Sequence, residues 1–91
     1  LVSSYSARDI VLRYIKHKMN QGQKTFKSHE FQSDVQSFGT FFFKKLYSPS
    51  TYNRQWRAIR SNKEYKVIGI ADIVKEKHPT SKETIWKILK D

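Results

Sequence analysis

Cysteine is absent from this chain of 91 residues, which excludes disulfide bonds and metal sites built from thiolates. No apolar run approaches the roughly 20 residues that a membrane-spanning helix requires. Acidic residues are scarce, with 8 Asp and Glu against 18 Lys and Arg, and the formal net charge is +10. Because the absence of disulfide bonds fits a reducing compartment, we expect a cytoplasmic protein, or a nucleoid or nuclear one.

Sequence motifs of catalysis and metal binding are missing too. The three histidines, His17, His29 and His78, are scattered along the chain. The sequence contains no HExxH motif, glycine-rich phosphate loop, nucleophile elbow or paired-carboxylate motif. We therefore expect a protein that is not an enzyme and that uses no metal and no cofactor.

The length of the chain suits one domain, residues 1–91, built around a single hydrophobic core. Two Trp, five Tyr and six Phe supply large buried areas per residue. The first residue is Leu1 rather than methionine, so we expect the domain to be excised from a longer chain. The excess of basic residues favours a polyanionic partner, and nucleic acid is the first choice.

Residues 6–19 have the periodicity of an amphipathic helix. Ser6 is placed to cap this helix, and Asp9 in the first turn favours the positive end of its dipole. The predicted buried face comprises Ile10, Val11, Tyr14 and Ile15. Residues 24–27 follow as a short predicted strand.

The second predicted helix is capped by Ser28 and interrupted by Gly39. Its predicted buried positions are Phe31, Val35 and Phe38. We expect the aromatic residues that follow to form a helical turn or a tight loop in the core, because aromatic side chains favour burial. These residues are Phe41, Phe42, Phe43, Leu46 and Tyr47. The alternative is an exposed surface that binds a partner.

The third predicted helix, residues 48–61, lies in the most basic part of the sequence. From Val35 to Lys63 there is no acidic residue, and six residues are Lys or Arg. Ser48 or Ser50 is expected to cap the helix, and Pro49 suits its first turn. Tyr52, Trp56 and Ile59 are spaced to form one buried stripe. The outer arc then carries Ser50, Thr51, Asn53, Arg54, Arg57 and Arg60.

The last third of the chain is rich in β-branched residues. It predicts two strands, residues 65–75 and 83–90, joined through residues 78–81 as a β-hairpin. The alternative is helical, because Thr80 and Glu83 fit a capping box. In that case the fold is mostly helical, with a second helix-turn-helix at residues 69–90. The hairpin is the preferred prediction and gives an α+β fold.

Three helices followed by a hairpin resemble the winged helix-turn-helix DNA-binding superfamily. The resemblance rests on Ser50-Thr51-x-x-Arg54-x-x-Arg57-Ala58-Ile59-Arg60, which looks like a recognition helix of that superfamily, and on residues 84–88, which are similar to a returning wing strand. The aromatic segment, residues 37–47, departs from the short turn usual there. The chain also resembles the N-terminal modules of phage or mobile-element replication proteins.

The resemblance implies that the third helix enters the major groove of duplex DNA and reads base edges there. Arg54 and Arg57 are the expected readers of guanine, and Asn53 is the expected reader of adenine. A second set of residues is expected to contact the DNA backbone. This set comprises Lys44, Lys45, Ser50, Thr51, Arg60, Lys63, Lys75, Lys77 and Lys82. The implied targets are a replication origin or a transcriptional operator, bound by one domain, a homodimer or tandem domains.

Two other functions fit the same sequence. The aromatic side chains are suited to stacking on the bases of RNA or single-stranded DNA. Alternatively, residues 38–47 form an apolar patch that docks an acidic protein. A membrane partner is not expected, since no long helix sets basic residues opposite one apolar face.

Overall fold

The computed structural model describes residues 5–90 and places three helices ahead of a three-stranded sheet. The elements are α1 (Ala7–Asn20), β1 (Thr25–Lys27), α2 (Ser28–Phe43), α3 (Pro49–Ser61), a 3₁₀ turn (Glu64–Ile68), β2 (Ile70–Lys77) and β3 (Thr84–Lys90). The predicted α+β fold with a C-terminal hairpin is confirmed. The alternative, a second helix-turn-helix at residues 69–90, is wrong, because the β-branched residues there pair as antiparallel strands.

Side-chain caps begin two of the three helices. Ser6 Oγ accepts a hydrogen bond of 3.2 Å from the Asp9 amide at the start of α1, as predicted. Ser48, one of the two predicted candidates, caps α3 by accepting a 3.3 Å bond from the Thr51 amide. The prediction that Ser28 caps α2 is wrong, because Ser28 is the first residue of the helix. Lys27 occupies the N-cap position, and its side chain makes no capping hydrogen bond.

Helix α2 runs without a break through Gly39, so the predicted interruption is wrong. Gly39 is buried where α2 crosses α3, and a Cβ atom at this position would lie 2.4 Å from the Tyr52 hydroxyl oxygen and 3.3 Å from Ile10 Cγ2. The absent side chain allows the helices to approach this closely. Glycine is therefore required by packing and not by a turn.

The core lies between the three helices and one face of the sheet, in a single cluster of buried side chains. Trp56 is central to it. Its ring stacks on Phe31 with centroids 4.8 Å apart, and it meets Trp86 edge to face at 6.0 Å. The side chain of Arg8 pairs with Glu64 and thereby ties α1 to the 3₁₀ turn.

The sheet has the strand order β1-β3-β2, and both pairings are antiparallel. Trp86 on the central strand lies opposite Phe26 of β1 and Lys75 of β2. Residues directly opposite each other share one face of an antiparallel sheet, so these three side chains point towards the helices. Lys75 and Lys77 alternate with Glu76 and therefore lie on that same face.

Much of the aromatic segment is exposed to solvent, although it was expected to pack in the core. Phe41 is 78 % exposed, Phe42 54 % and Leu46 86 %. Phe38, Phe43 and Tyr47 are half-buried against the core, and the Tyr47 hydroxyl donates to the Tyr5 carbonyl oxygen at 3.1 Å. The prediction that the apolar residues of this segment all pack inside is wrong. Phe41, Phe42 and Phe43 continue α2, where consecutive residues are turned about 100° apart and cannot share one face, and Leu46 lies beyond the end of the helix.

Candidate nucleic-acid interface

The buried and exposed faces of helix α3 are those predicted from the sequence. Tyr52, Trp56 and Ile59 are buried, and the three predicted base readers Asn53, Arg54 and Arg57 are exposed. Among residues 5–90, no ion pair engages Arg54 or Arg57. Their guanidinium groups are therefore available to an external acceptor.

Arg60 occupies a different environment from the exposed backbone contact that was expected. It is half-buried, with the guanidinium carbon 3.9 Å from the centroid of the Trp86 ring and 5.2 Å from that of Trp56. Stacking of this kind is a cation–π interaction and holds the guanidinium plane in place. Burial, and to a lesser extent the charge of Arg57, lowers the pKa of Arg60 from its ordinary value.

A cleft of about 220 Å³ opens between α3 and the hairpin, and we call it the helix–hairpin cleft. Its walls are Ser28 from the start of α2, Asn53, Trp56 and Arg60 from α3, Lys75 from β2, and Thr84 and Trp86 from β3. The Lys75 ammonium lies 5.9 Å from the centroid of the Trp86 ring, so two cations flank one indole. The cleft brings Asn53, Arg60 and Lys75, three of the predicted contact residues, to one place.

The hairpin carries the remaining predicted wing residues. Lys77 is exposed on the helix-facing side of β2, two positions from Lys75 and closer to the turn. Lys82 is exposed in the turn itself, with a φ of 58° in the left-handed region. The three lysines thus continue the basic surface of α3 outwards along the hairpin.

The other predicted backbone contacts lie at the two ends of α3. Lys44 and Lys45 precede the helix and Lys63 follows it. Since α3 has 13 residues, its ends are about 20 Å apart. Lys44 and Lys63 also have left-handed φ angles, 54° in each case. These lysines are therefore suited to separate phosphates and not to one shared site.

The N-terminus of α3 is largely satisfied by its own cap. Ser48 Oγ lies 3.0 Å from Ser50 Oγ and 2.9 Å from Thr51 Oγ1, and it accepts a bond from the Thr51 amide. Pro49 has no amide hydrogen. Ser50 is consequently the one residue of this first turn whose amide retains the expected phosphate-binding potential.

Four cleft residues were not predicted as site residues: Ser28, Trp56, Thr84 and Trp86. Trp86 is half-buried, with one face covered by Arg60. The predicted hairpin did not supply its pairing with Lys75, because a turn at residues 78–81 places Lys75 opposite Thr84, whereas the observed turn at residues 78–83 pairs Lys75 with Trp86. That pairing alone places a cation beside an indole.

Within residues 5–90, the structure holds no cluster of three or more potential metal ligands among His, Cys, Asp and Glu. None of the helices in that range has the length and apolar character needed to cross a membrane.

No family model matches the chain, and comparisons with curated proteins and with solved structures gave no match. Function is therefore inferred from the residues and their arrangement alone.

Proposed function

We propose that this domain binds double-stranded DNA and reads its sequence through α3. The observation that carries the proposal is the exposed arc of α3, where Asn53, Arg54 and Arg57 face solvent above a stripe of buried aromatic and aliphatic residues. The major groove is wide enough for an α-helix and displays a distinct pattern of donors and acceptors for each base pair. Arginine and asparagine side chains make bidentate bonds to guanine and adenine there.

Charge distribution supports the same proposal. The formal net charge is +10, and no acidic residue occurs between Val35 and Lys63. Electrostatic attraction to phosphates supplies much of the affinity of DNA-binding proteins and makes that affinity depend on salt. The lysines of the hairpin and of the loops flanking α3 would contact backbone on both sides of the groove that α3 occupies.

The first test replaces single arginines of α3. Arg54→Ala or Arg57→Ala is expected to weaken binding to a preferred duplex by about 1–3 kcal/mol and to relax the preference at one base position. Lys44→Ala and Lys45→Ala should weaken binding to all duplexes alike, since phosphate contacts carry no sequence information. Arg13→Ala, at an exposed position of α1, removes the same charge outside this surface and serves as the control.

The measurement is a salt-titrated binding assay with a random duplex, a duplex pool after selection, and a single strand. Enrichment of one duplex motif, lost in the arginine variants, is the expected result. An equal loss on every sequence would remove the base-reading role and leave a phosphate-binding helix. Preference for the single strand over both duplexes would favour stacking on exposed aromatic residues instead.

A second candidate function is docking of an acidic protein, and the exposed aromatic segment favours it. Phe41, Phe42 and Leu46 are exposed, and the rings of Phe41 and Phe42 are in contact with centroids 4.8 Å apart; we call these three residues the aromatic patch. Beside it, α1 and α2 enclose a groove of about 440 Å³, lined by Phe38, Phe42 and Phe43 together with the basic side chains of Arg13, Lys16 and His17. Exposed apolar patches with a charged rim often mark protein-binding sites.

A peptide-display selection tests the second function. Acidic peptides with large apolar residues are expected to be enriched by the wild-type domain and not by the variant Phe41→Ser with Leu46→Ser. Since both side chains are exposed, each substitution should change the free energy of unfolding by less than about 0.5 kcal/mol, which thermal unfolding would check. Equal enrichment by both proteins would argue against docking at this patch.

A further inference from the structure

The helix–hairpin cleft has an excess of hydrogen-bond donors. The indole Nε1 of Trp56, a residue only 2 % exposed, and the Nε of Arg60 are both buried without a hydrogen-bond partner among residues 5–90. Both residues line the cleft. A buried donor without an acceptor is costly, so two of them in residues that line one cleft favour a ligand that accepts hydrogen bonds.

The charges of the cleft have one sign. Arg60 and Lys75 lie on its walls, and no carboxylate lines it within the part of the chain that the structure describes. The neighbouring acid, Glu83, immediately precedes β3, and its Oε1 lies 2.6 Å from His29 Nδ1. Burial disfavours the charged form of Arg60, and the pKa of Arg60 is lowered as a result. A bound anion would offset that effect, since an opposite charge stabilises the guanidinium.

The size of the cleft restricts the ligand. Its volume of about 220 Å³ is below the roughly 300–1,000 Å³ of sites for drug-sized molecules, yet far above the approximately 30 Å³ of one water. Ser28, Asn53 and Thr84 add polar groups around the two cations. Arginine presents a planar fork of donors that matches an oxyanion, and here stacking on Trp86 orients that fork.

We propose that the helix–hairpin cleft is a phosphate-binding pocket, in which Arg60, Lys75 and the indole N–H of Trp56 bind one phosphate group. The proposal deepens the proposed function and rests on it where the phosphate belongs to a DNA backbone. The pocket then fixes α3 and the hairpin on the same strand of the duplex. A free phosphate ion offers the same chemistry and provides an independent probe.

The two indole N–H groups are the reporters. Trp56 and Trp86 are the two tryptophans of the chain, and each gives one indole resonance in a ¹H–¹⁵N spectrum. Inorganic phosphate, titrated against chloride at constant ionic strength, is expected to shift the Trp56 indole resonance to saturation. The same resonance should shift on addition of a duplex.

Substitutions on the two sides of the hairpin sharpen the test. Arg60→Lys keeps the charge but loses the stacked fork, and it is expected to weaken phosphate binding by about tenfold or more. Lys75→Ala should weaken it as well. Lys87→Ala is the matched control, because Lys87 is the chain neighbour of Trp86 but lies on the opposite face of the sheet. Thermal unfolding of each variant separates lost binding from lost folding, and Lys75→Ala keeps the test valid if Arg60→Lys fails to fold.

Each result has a defined meaning. A shift with phosphate and with duplex, lost in Arg60→Lys and Lys75→Ala and kept in Lys87→Ala, supports the pocket and a backbone phosphate as its ligand. A shift with phosphate in a domain that binds no duplex supports the pocket and overturns the proposed function. Duplex binding with an unmoved Trp56 resonance, and with Arg60→Lys as tight as wild type, overturns the pocket and leaves DNA binding intact. Equal shifts in Lys87→Ala, Lys75→Ala and Arg60→Lys would also overturn it.

Discussion

Replacing Trp56 by alanine is expected to lower the free energy of unfolding by about 3–5 kcal/mol. The side chain is 2 % exposed and contacts elements on both sides, stacking on Phe31 of α2 and meeting Trp86 of β3 edge to face. Its removal leaves a cavity between the helices and the sheet, which the rigid rings around it cannot close. A domain of this size has a total stability of only about 5–14 kcal/mol, so the variant should be close to unfolding.

Urea denaturation followed by far-ultraviolet circular dichroism measures this effect without relying on the fluorescence of the replaced tryptophan. Phe41→Ala is the matched control, an aromatic residue of α2 that is 78 % exposed and should change stability by less than about 0.5 kcal/mol. A loss below about 1 kcal/mol for Trp56→Ala would mean that the core is not organised around this ring.

A valine at Gly39 is the second severe change, with an expected loss of about 3 kcal/mol or more. A Cβ atom alone would lie 2.4 Å from the Tyr52 hydroxyl oxygen, and valine adds two methyl groups to it. Valine also has a better helix propensity than glycine, but the gain is below about 1 kcal/mol. The clash is therefore expected to dominate, and α2 must separate from α3.

A double-mutant cycle assigns this loss to the hydroxyl group. The Tyr52 hydroxyl is buried without a hydrogen-bond partner in residues 5–90, and burial raises the pKa of Tyr52. Tyr52→Phe is thus expected to be neutral or slightly stabilising. Gly39→Ala should be destabilising in the wild type and much less so with Tyr52→Phe, because the closest atom is then gone. Equal losses in both backgrounds would place the clash elsewhere, on Ile10 or the backbone.

Local patterns predicted much of the fold. Periodicity identified Tyr52, Trp56 and Ile59 as the buried stripe of α3, because a helix repeats every 3.6 residues whatever it packs against. The same rule correctly left Asn53, Arg54 and Arg57 exposed. The hairpin was predicted over its helical alternative from the abundance of β-branched residues, and the strands pair as that composition favours.

Local patterns could not predict the features that depend on how the helices and strands pack against one another. Arg60 is at the edge of the exposed arc, and whether it points to solvent is decided by Trp86 on a strand 26 positions later in the chain. The aromatic patch was misjudged because composition favours burial, whereas the continuous helix α2 has room for only part of its aromatic residues at the core. The sequence predicts a helix interruption at Gly39, but the role of this glycine is to leave room for the Tyr52 hydroxyl of another helix, which no local pattern reveals.

The three lysines with left-handed backbone have a consequence for how this domain could evolve or be engineered. Lys44, Lys63 and Lys82 each hold a conformation that glycine adopts without strain and that costs other residues roughly 1–2 kcal/mol. Glycine at these three sites would make the fold more stable and the surface less basic. If the lysines contact phosphates, as we propose, replacing them by glycine would raise the stability of the domain and lower its affinity for DNA. This is a stability–activity trade-off, because each turn contains a strained residue whose charge is needed for binding.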